Sequence, residues 1–151
     1  MNKQFRFEVT TQWKKGDYKN SKTHLSKIAG KPDVTISAAR AFKGQEDQHN
    51  PEDLLLSALS SCHMMSYFYV CQQQGIEVVD YKDKAVGTLE LRPDFSGGFT
   101  KVHLNPLVTI SNASQEILAI DLHKKAHELC FIANSVNFEV IIDPVIESQE
   151  R

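Results

Sequence analysis

The stretch Asn50-Pro51-Glu52-Asp53-Leu54-Leu55-Leu56-Ser57-Ala58-Leu59-Ser60-Ser61-Cys62-His63-Met64-Met65 decides the reading of this chain. It stays largely apolar to Cys71 and meets a natural stop at Gly75. Asn50 is a good N-cap, because its side-chain oxygen can accept an otherwise unpaired N–H of the first turn. Pro51 suits the first helical position, whose N–H has no intrahelical partner. Glu52 and Asp53 set negative charge at the positive end of the helix dipole. Leu54, Leu55, Leu56, Ala58, Leu59, Met64, Met65, Phe68 and Val70 surround the axis, so the helix is expected to be buried on most faces.

From Leu54 to Ile76 there is no Asp, Glu, Lys or Arg. A membrane span needs about 20 mainly apolar residues. This run also carries Ser57, Ser60, Ser61, His63, Ser66 and Gln72 to Gln74, which would be costly in lipid. The expectation is a helix buried inside a soluble protein or between two copies of it, with no membrane partner.

Upstream, Phe5, Phe7 and Val9 alternate with Arg6, Glu8 and Thr10, the period of two of a half-buried strand. Lys14 to Asn20 reads as a turn around Gly16 and Asp17. Thr23 to Ile28 and Val34 to Ala38 read as short strands, and Ala41 to His49 as a polar loop. Downstream, Val78 to Leu91 and Thr100 to Ile110 form a strand pair, with Pro93 to Gly98 as its hairpin turn. A second helix is expected from Ser114 to about Ala133, ended by Asn134, and Val136 to Ile142 is a last strand. Strands, helix, strands, helix, strand define the class α+β.

The whole chain of 151 residues has the size of one domain, 1–151. It is 41% hydrophobic and 24% charged, which excludes wholesale disorder and a fibrous repeat. Seventeen Lys and Arg against 19 Asp and Glu leave a net charge of −2, so no nucleic-acid partner is expected. The N-terminal MNKQFRFEV lacks the apolar core of a secretory signal. Three cysteines do not make a secreted disulfide framework. Both points lead to a cytoplasmic expectation.

Cys62 lies in the first helix, Cys71 near its end, and Cys130 near the end of the second. Each could be a plain buried thiol. Two packed helices could also bring a pair within disulfide reach, with Cα atoms roughly 4.4–6.8 Å apart. A free thiol has a pKa of about 8.5, so a reactive one needs a nearby cation or donor. Cys62 stands twelve residues past its cap, about 18 Å along the axis, beyond help from its own helix dipole. An Arg or His from elsewhere is required.

Asn50-Pro51-Glu52-Asp53-Leu54-Leu55, Ser57-Ala58-Leu59-Ser60-Ser61-Cys62, and Ala126-His127-Glu128-Leu129-Cys130 with Asn134-Ser135 together resemble the OsmC/Ohr family, in its OsmC-like branch. The resemblance implies antiparallel sheets packed on two main helices, in an intertwined homodimer with sites at the subunit interface. It implies a thiol-dependent peroxidase for organic hydroperoxides. In that reading Cys62 is the peroxidatic cysteine and Cys130 the resolving cysteine. The two form a transient disulfide that a dithiol reductant resets. Glu52 matches the glutamate that holds an arginine over the thiolate.

The family's arginine precedes the N-P-E helix, just ahead of a Phe and a Gly. Here Arg40-Ala41-Phe42-Lys43-Gly44 leaves Arg40 one position away. Arg40 is the candidate, with a solvated loop charge as its other reading and Arg6 and Lys43 as further cations. Phe131 stands where the better-known branches often carry Pro, and His63 follows Cys62 directly. Glu52 and Cys62 are ten residues apart, about 15 Å along a straight helix and nearly 80° around it. Either the helix breaks, or Glu52 serves the Cys62 of a second copy.

His63 points about 100° from Cys62 and reads as a helix-packing residue. His123, His127 and Cys130 share a helical face, which zinc could use together with Cys62. No C-x-x-C or H-E-x-x-H motif accompanies them, and neither metal nor cofactor is expected. Met64, Met65, Tyr67, Phe68 and Tyr69 read as core or interface, and some could line a pocket for the tail of an organic peroxide. The other function to set against the peroxidase is a non-catalytic module that binds an apolar small molecule, its cysteines serving only to pack.

Overall fold

A computed structural model describes residues 1–149; the last two positions of the expected domain lie outside the described residues. The chain divides into two compact units, Met1–Leu55 and a second that begins at Leu56.

In the first unit, β1 (Thr10–Gln12), β2 (His24–Lys27) and β3 (Val34–Ile36) form an antiparallel sheet in the order β1-β2-β3. Thr11 pairs with Ser26 and Leu25 with Thr35. The strand expected at Phe5 to Val9 is displaced. Met1 to Val9 carries no secondary structure and is exposed throughout. Alternation supplies an apolar face, but a strand also needs a neighbour to take its N–H and C=O groups. Buried Thr23 ties the loop after β3 together, its Oγ1 lying 3.2 Å from Ser37 Oγ and 3.0 Å from Gln45 Oε1. The 3-10 turn Arg40–Phe42 ends at Lys43, whose φ is +62°. Gly44 must be glycine, since a Cβ there would sit 1.7 Å from the Ala38 carbonyl oxygen.

Helix α1 (Pro51–Gln73) follows the sequence signals. Asn50 Oδ1 accepts the Asp53 N–H at 2.8 Å, and Gly75 takes the left-handed φ of +70° that ends the helix. Burial differs from expectation. Leu59, His63, Tyr67, Val70 and Cys71 are buried, a single stripe at helical spacing. Met65, Phe68 and Tyr69 on other faces are exposed. By length and composition α1 is also apolar enough to cross a membrane. Its polar side chains nonetheless find partners within the protein, with Ser60 on Asp83 and His63 on His123.

In the second unit the two long expected strands are each split. They become β4 (Val78–Asp83) and β5 (Val86–Leu91), then β6 (Gly97–Leu104) and β7 (Pro106–Ile110). Asn105 marks the break in the returning arm. Its N–H donates to Asp83 Oδ1 at 2.6 Å, and its side chain donates to the Lys84 carbonyl at 3.0 Å. The alternation nevertheless survives, with Val102, Leu104, Pro106, Val108 and Ile110 all buried. Two further strands complete the sheets: β8 (Glu139–Ile142), shorter than expected, and β9 (Val145–Ser148), which was not foreseen. The sheet orders are β4-β7-β9 and β5-β6-β8. The pairs β7·β9 and β6·β8 are parallel, so the sheets are mixed rather than purely antiparallel. The class is α+β.

Helix α2 (Glu116–Leu129) ends before Cys130, earlier than expected. Two core clusters result. Tyr67, Val70, Cys71 and Ile76 pack with Val108, Ile110, Ala119 and Ala126. Leu59 packs with Val102, Leu104 and Cys130, flanked by Leu56, Cys62 and Phe99.

Candidate active site

Cys130 is the C-cap of α2. Its ψ of 112° turns the chain out of the helix, and its N–H donates to the His127 carbonyl at 3.3 Å. The next residues fold into a tight knot. Asn134 N–H donates to the Cys130 carbonyl at 3.0 Å, and the Asn134 side chain donates to the Glu128 carbonyl at 3.0 Å. Ala133 N–H points at Cys130 Sγ, 3.4 Å away. The sulfur is fully buried in the second core cluster, against Cys62. Burial pushes the Cys130 thiol up to about 11; the Ala133 N–H opposes this and the Cys62 thiol adds to it.

Cys62 is half-buried on α1. It opens onto a cavity of about 440 Å³ lined by Met65, Ser66, Tyr69, Leu129 and Phe131. The walls are aliphatic, thioether and aromatic, with Ser66 and the Tyr69 phenol as polar points. One sulfur therefore faces a solvent-accessible apolar cavity, and a second lies buried behind it. Both are free thiols. Cys71 lies elsewhere, in the first cluster beside Tyr67, with its thiol pushed up by burial.

The other two predicted site residues lie in the first unit. Glu52 is half-buried in the first turn of α1. Arg40 is exposed on its 3-10 turn and pairs with Glu46 at 3.3 Å. Arg6 pairs with Glu8, also in solvent. Helix α1 is unbroken from Pro51 to Gln73.

Sequence reasoning missed the partner of His63. His63 Nε2 and His123 Nδ1 share a hydrogen bond of 3.0 Å. The Tyr67 ring stacks on His123 with centroids 3.8 Å apart, and its hydroxyl donates to the Ala119 carbonyl at 2.8 Å. Burial lowers His63 to about 4, helped by His127 and opposed by Asp83. Burial, with His63 beside it, lowers His123 to about 3. His123 thus faces His63 and Tyr67, not Cys130, with which it shares a helical face in sequence. The only sequence signal was the apolar context of His63.

A fold of two helices on mixed sheets, with a cysteine on one helix and another capping the second, defines the class. The chain belongs to the OsmC-like protein family, whose sequence model matches residues 44–144. An OsmC-like protein of unknown function from Vibrio cholerae is 30% identical in sequence and similar in structure, with a TM-score of 0.85 over 94% of this chain and 100% of that one. The organic hydroperoxide resistance protein OhrB of Bacillus subtilis shares the fold at 22% identity and a TM-score of 0.63, over 95% of this chain and 98% of that one. The uncharacterised protein YmaD of Bacillus subtilis is 26% identical over 112 residues, 71% of this chain and 73% of YmaD.

Proposed function

We propose that this chain is a cysteine-based hydroperoxide reductase acting on organic hydroperoxides. The observation that carries the reading is the sulfur pair: Cys62 lines an apolar cavity and packs against buried Cys130. The Cys62 thiolate attacks the terminal oxygen of the hydroperoxide. The O–O bond breaks, the alkoxide takes a proton to leave as alcohol, and Cys62 becomes a sulfenic acid. The Cys130 sulfur then attacks the Cys62 sulfur, its proton leaves with the hydroxyl as water, and a disulfide forms. A dithiol restores both thiols by exchange, which suits a reducing, cytoplasmic setting.

The cation that holds Cys62 as thiolate is proposed to be Arg40, oriented by Glu52. In that role Arg40 must leave Glu46 for Glu52. An exposed pair of this kind contributes only about 0.2–1 kcal/mol, so the exchange is inexpensive. With α1 unbroken, Glu52 is proposed to serve the Cys62 of a second copy. Support for that copy comes from Phe5, Phe7, Trp13, Phe68 and Tyr69, all large, apolar or aromatic, and exposed.

The test is intact mass spectrometry after one equivalent of cumene hydroperoxide. The expected product is a Cys62–Cys130 disulfide, two hydrogens lighter than the reduced chain. Cys62→Ser should abolish peroxide consumption, and Cys130→Ser should stop after one turnover at the sulfenic acid. Consumption by Cys62→Ser at the parental rate refutes the assignment. An unoxidised Cys62 after treatment would favour the non-catalytic binding module instead.

A further inference from the structure

The most unusual feature outside the sulfur pair is a buried imidazole couple at the junction of the helices that carry it. His63 is 1% and His123 3% exposed. His63 follows Cys62 directly on α1. His123 precedes Cys130 by seven residues, about 10 Å along α2. The two rings share a single hydrogen bond, while His63 Nδ1 and His123 Nε2 have no partner. A neutral couple needs one ring to donate and the other to accept. If both rings carry two protons, two N–H groups face each other across 3.0 Å and the bond is lost.

We propose that the His63–His123 couple is a proton-sensitive latch: neutral, it holds α1 and α2 at the spacing where Cys62 and Cys130 join, and acid releases that spacing. The groups acting on the couple are few. Asp83 on β4 favours a charged His63, and its carboxylate already accepts from Ser60 Oγ and the Asn105 N–H. His127 on α2 opposes charge on His63. Tyr67 on α1 stacks on His123, and Tyr81 on β4 lies against Tyr67. Burial raises both phenols, so neither is an anion able to stabilise an imidazolium. One carboxylate therefore stands against a second histidine and desolvation, and the balance favours neutral rings. Once the helices part, water solvates each ring and it recovers an ordinary affinity for protons. The open form then gains up to about tenfold per pH unit for each ring in the interval between open and closed values.

The latch depends on the proposed cysteine reading for its redox consequence; acid loosening of the helix pair does not. The whole chain is equilibrated with reduced and oxidised glutathione at pH 7.0 and pH 4.5, approached from both directions. As the protein disulfide forms, glutathione disulfide is reduced to two thiols. His123→Gln carries the same thiols as the parent, so any pH dependence of the exchange itself is common to both proteins and cancels when they are compared. The effective concentration of the Cys62–Cys130 pair should fall at least tenfold at pH 4.5. His123→Gln can hydrogen-bond His63 without taking a proton and should flatten the dependence. Tyr67→Phe, which leaves both rings titratable, should retain it. Near-UV circular dichroism of the reduced parent should weaken between pH 6 and pH 4 while the helical signal persists.

Equal disulfide formation at both pH values overturns the latch alone, as does a His123→Gln variant as pH-dependent as the parent. A near-UV signal flat to pH 4 also overturns it, even where His123→Gln does not fold. No disulfide at pH 7.0 overturns the cysteine reading and, with it, the redox role of the latch.

Discussion

At the scale of single residues, the two thiols differ in access rather than chemical type. Cys62 borders the cavity, whereas Cys130 is fully buried and its thiol is pushed up to about 11. Iodoacetamide at pH 8 should therefore label Cys62 in the folded chain and leave Cys130 unlabelled until denaturant is added. Peptide mass mapping reads this directly, and equal labelling of both would contradict the burial. Tyr67 invites a similar check. Removing its hydroxyl deletes the bond to the Ala119 carbonyl. Tyr67→Phe should cost about 1 kcal/mol in denaturant unfolding. What the sequence made legible here was which positions carry thiols and imidazoles. It did not reveal the partner of His63, because His63 and His123 are sixty residues apart in the chain.

At the scale of elements, the start of α1 was legible because capping is local. Asn50 and Asp53 lie within one turn, and their hydrogen bond forms as the sequence implies. Asn50→Ala should lower stability by about 1 kcal/mol, seen as an earlier urea midpoint with an unchanged slope. The contact of α1 with α2 gives a pH prediction. In the folded chain His63 lies near 4 and His123 near 3, both below the ordinary value. As pH falls through about 6.5, the unfolded chain therefore binds protons before the folded one does. Stability contributed by neutral burial is intact above about pH 7 and is lost progressively toward pH 4. The loss is at most about 1.4 kcal/mol per pH unit for each ring. Urea titrations at pH 7, 6 and 5 check the trend, and a midpoint independent of pH would contradict it. The breaks at Lys84–Ala85 and Asn105 were not legible. An uninterrupted alternation of side chains does not record where the backbone bends.

At the scale of the whole molecule, the proposed second copy can be tested on the exposed apolar side chains. Phe5 and Phe7 are 79% and 92% exposed, on a segment whose alternation suits a strand. Light scattering is expected to give about twice the chain mass of 17.1 kDa. Phe68→Glu, on the exposed face of α1, is expected to shift the population toward the single chain. A parent that elutes as a monomer with full peroxidase activity would refute both the dimer and the role given to Glu52 of a second copy.

The sequence by itself determined the class, the start and stop of the long helix, and the identity of the sulfur-bearing positions. Those depend on caps, periodicity and spacing, which act over one or two turns. Only the tertiary structure decided which faces of α1 are buried, where α2 ends, that Cys62 faces a cavity while Cys130 lies behind it, and that His63 pairs with His123. Each of these is set by what a second element supplies across space. A pattern of apolar and polar residues states that a face needs cover but does not name the covering partner.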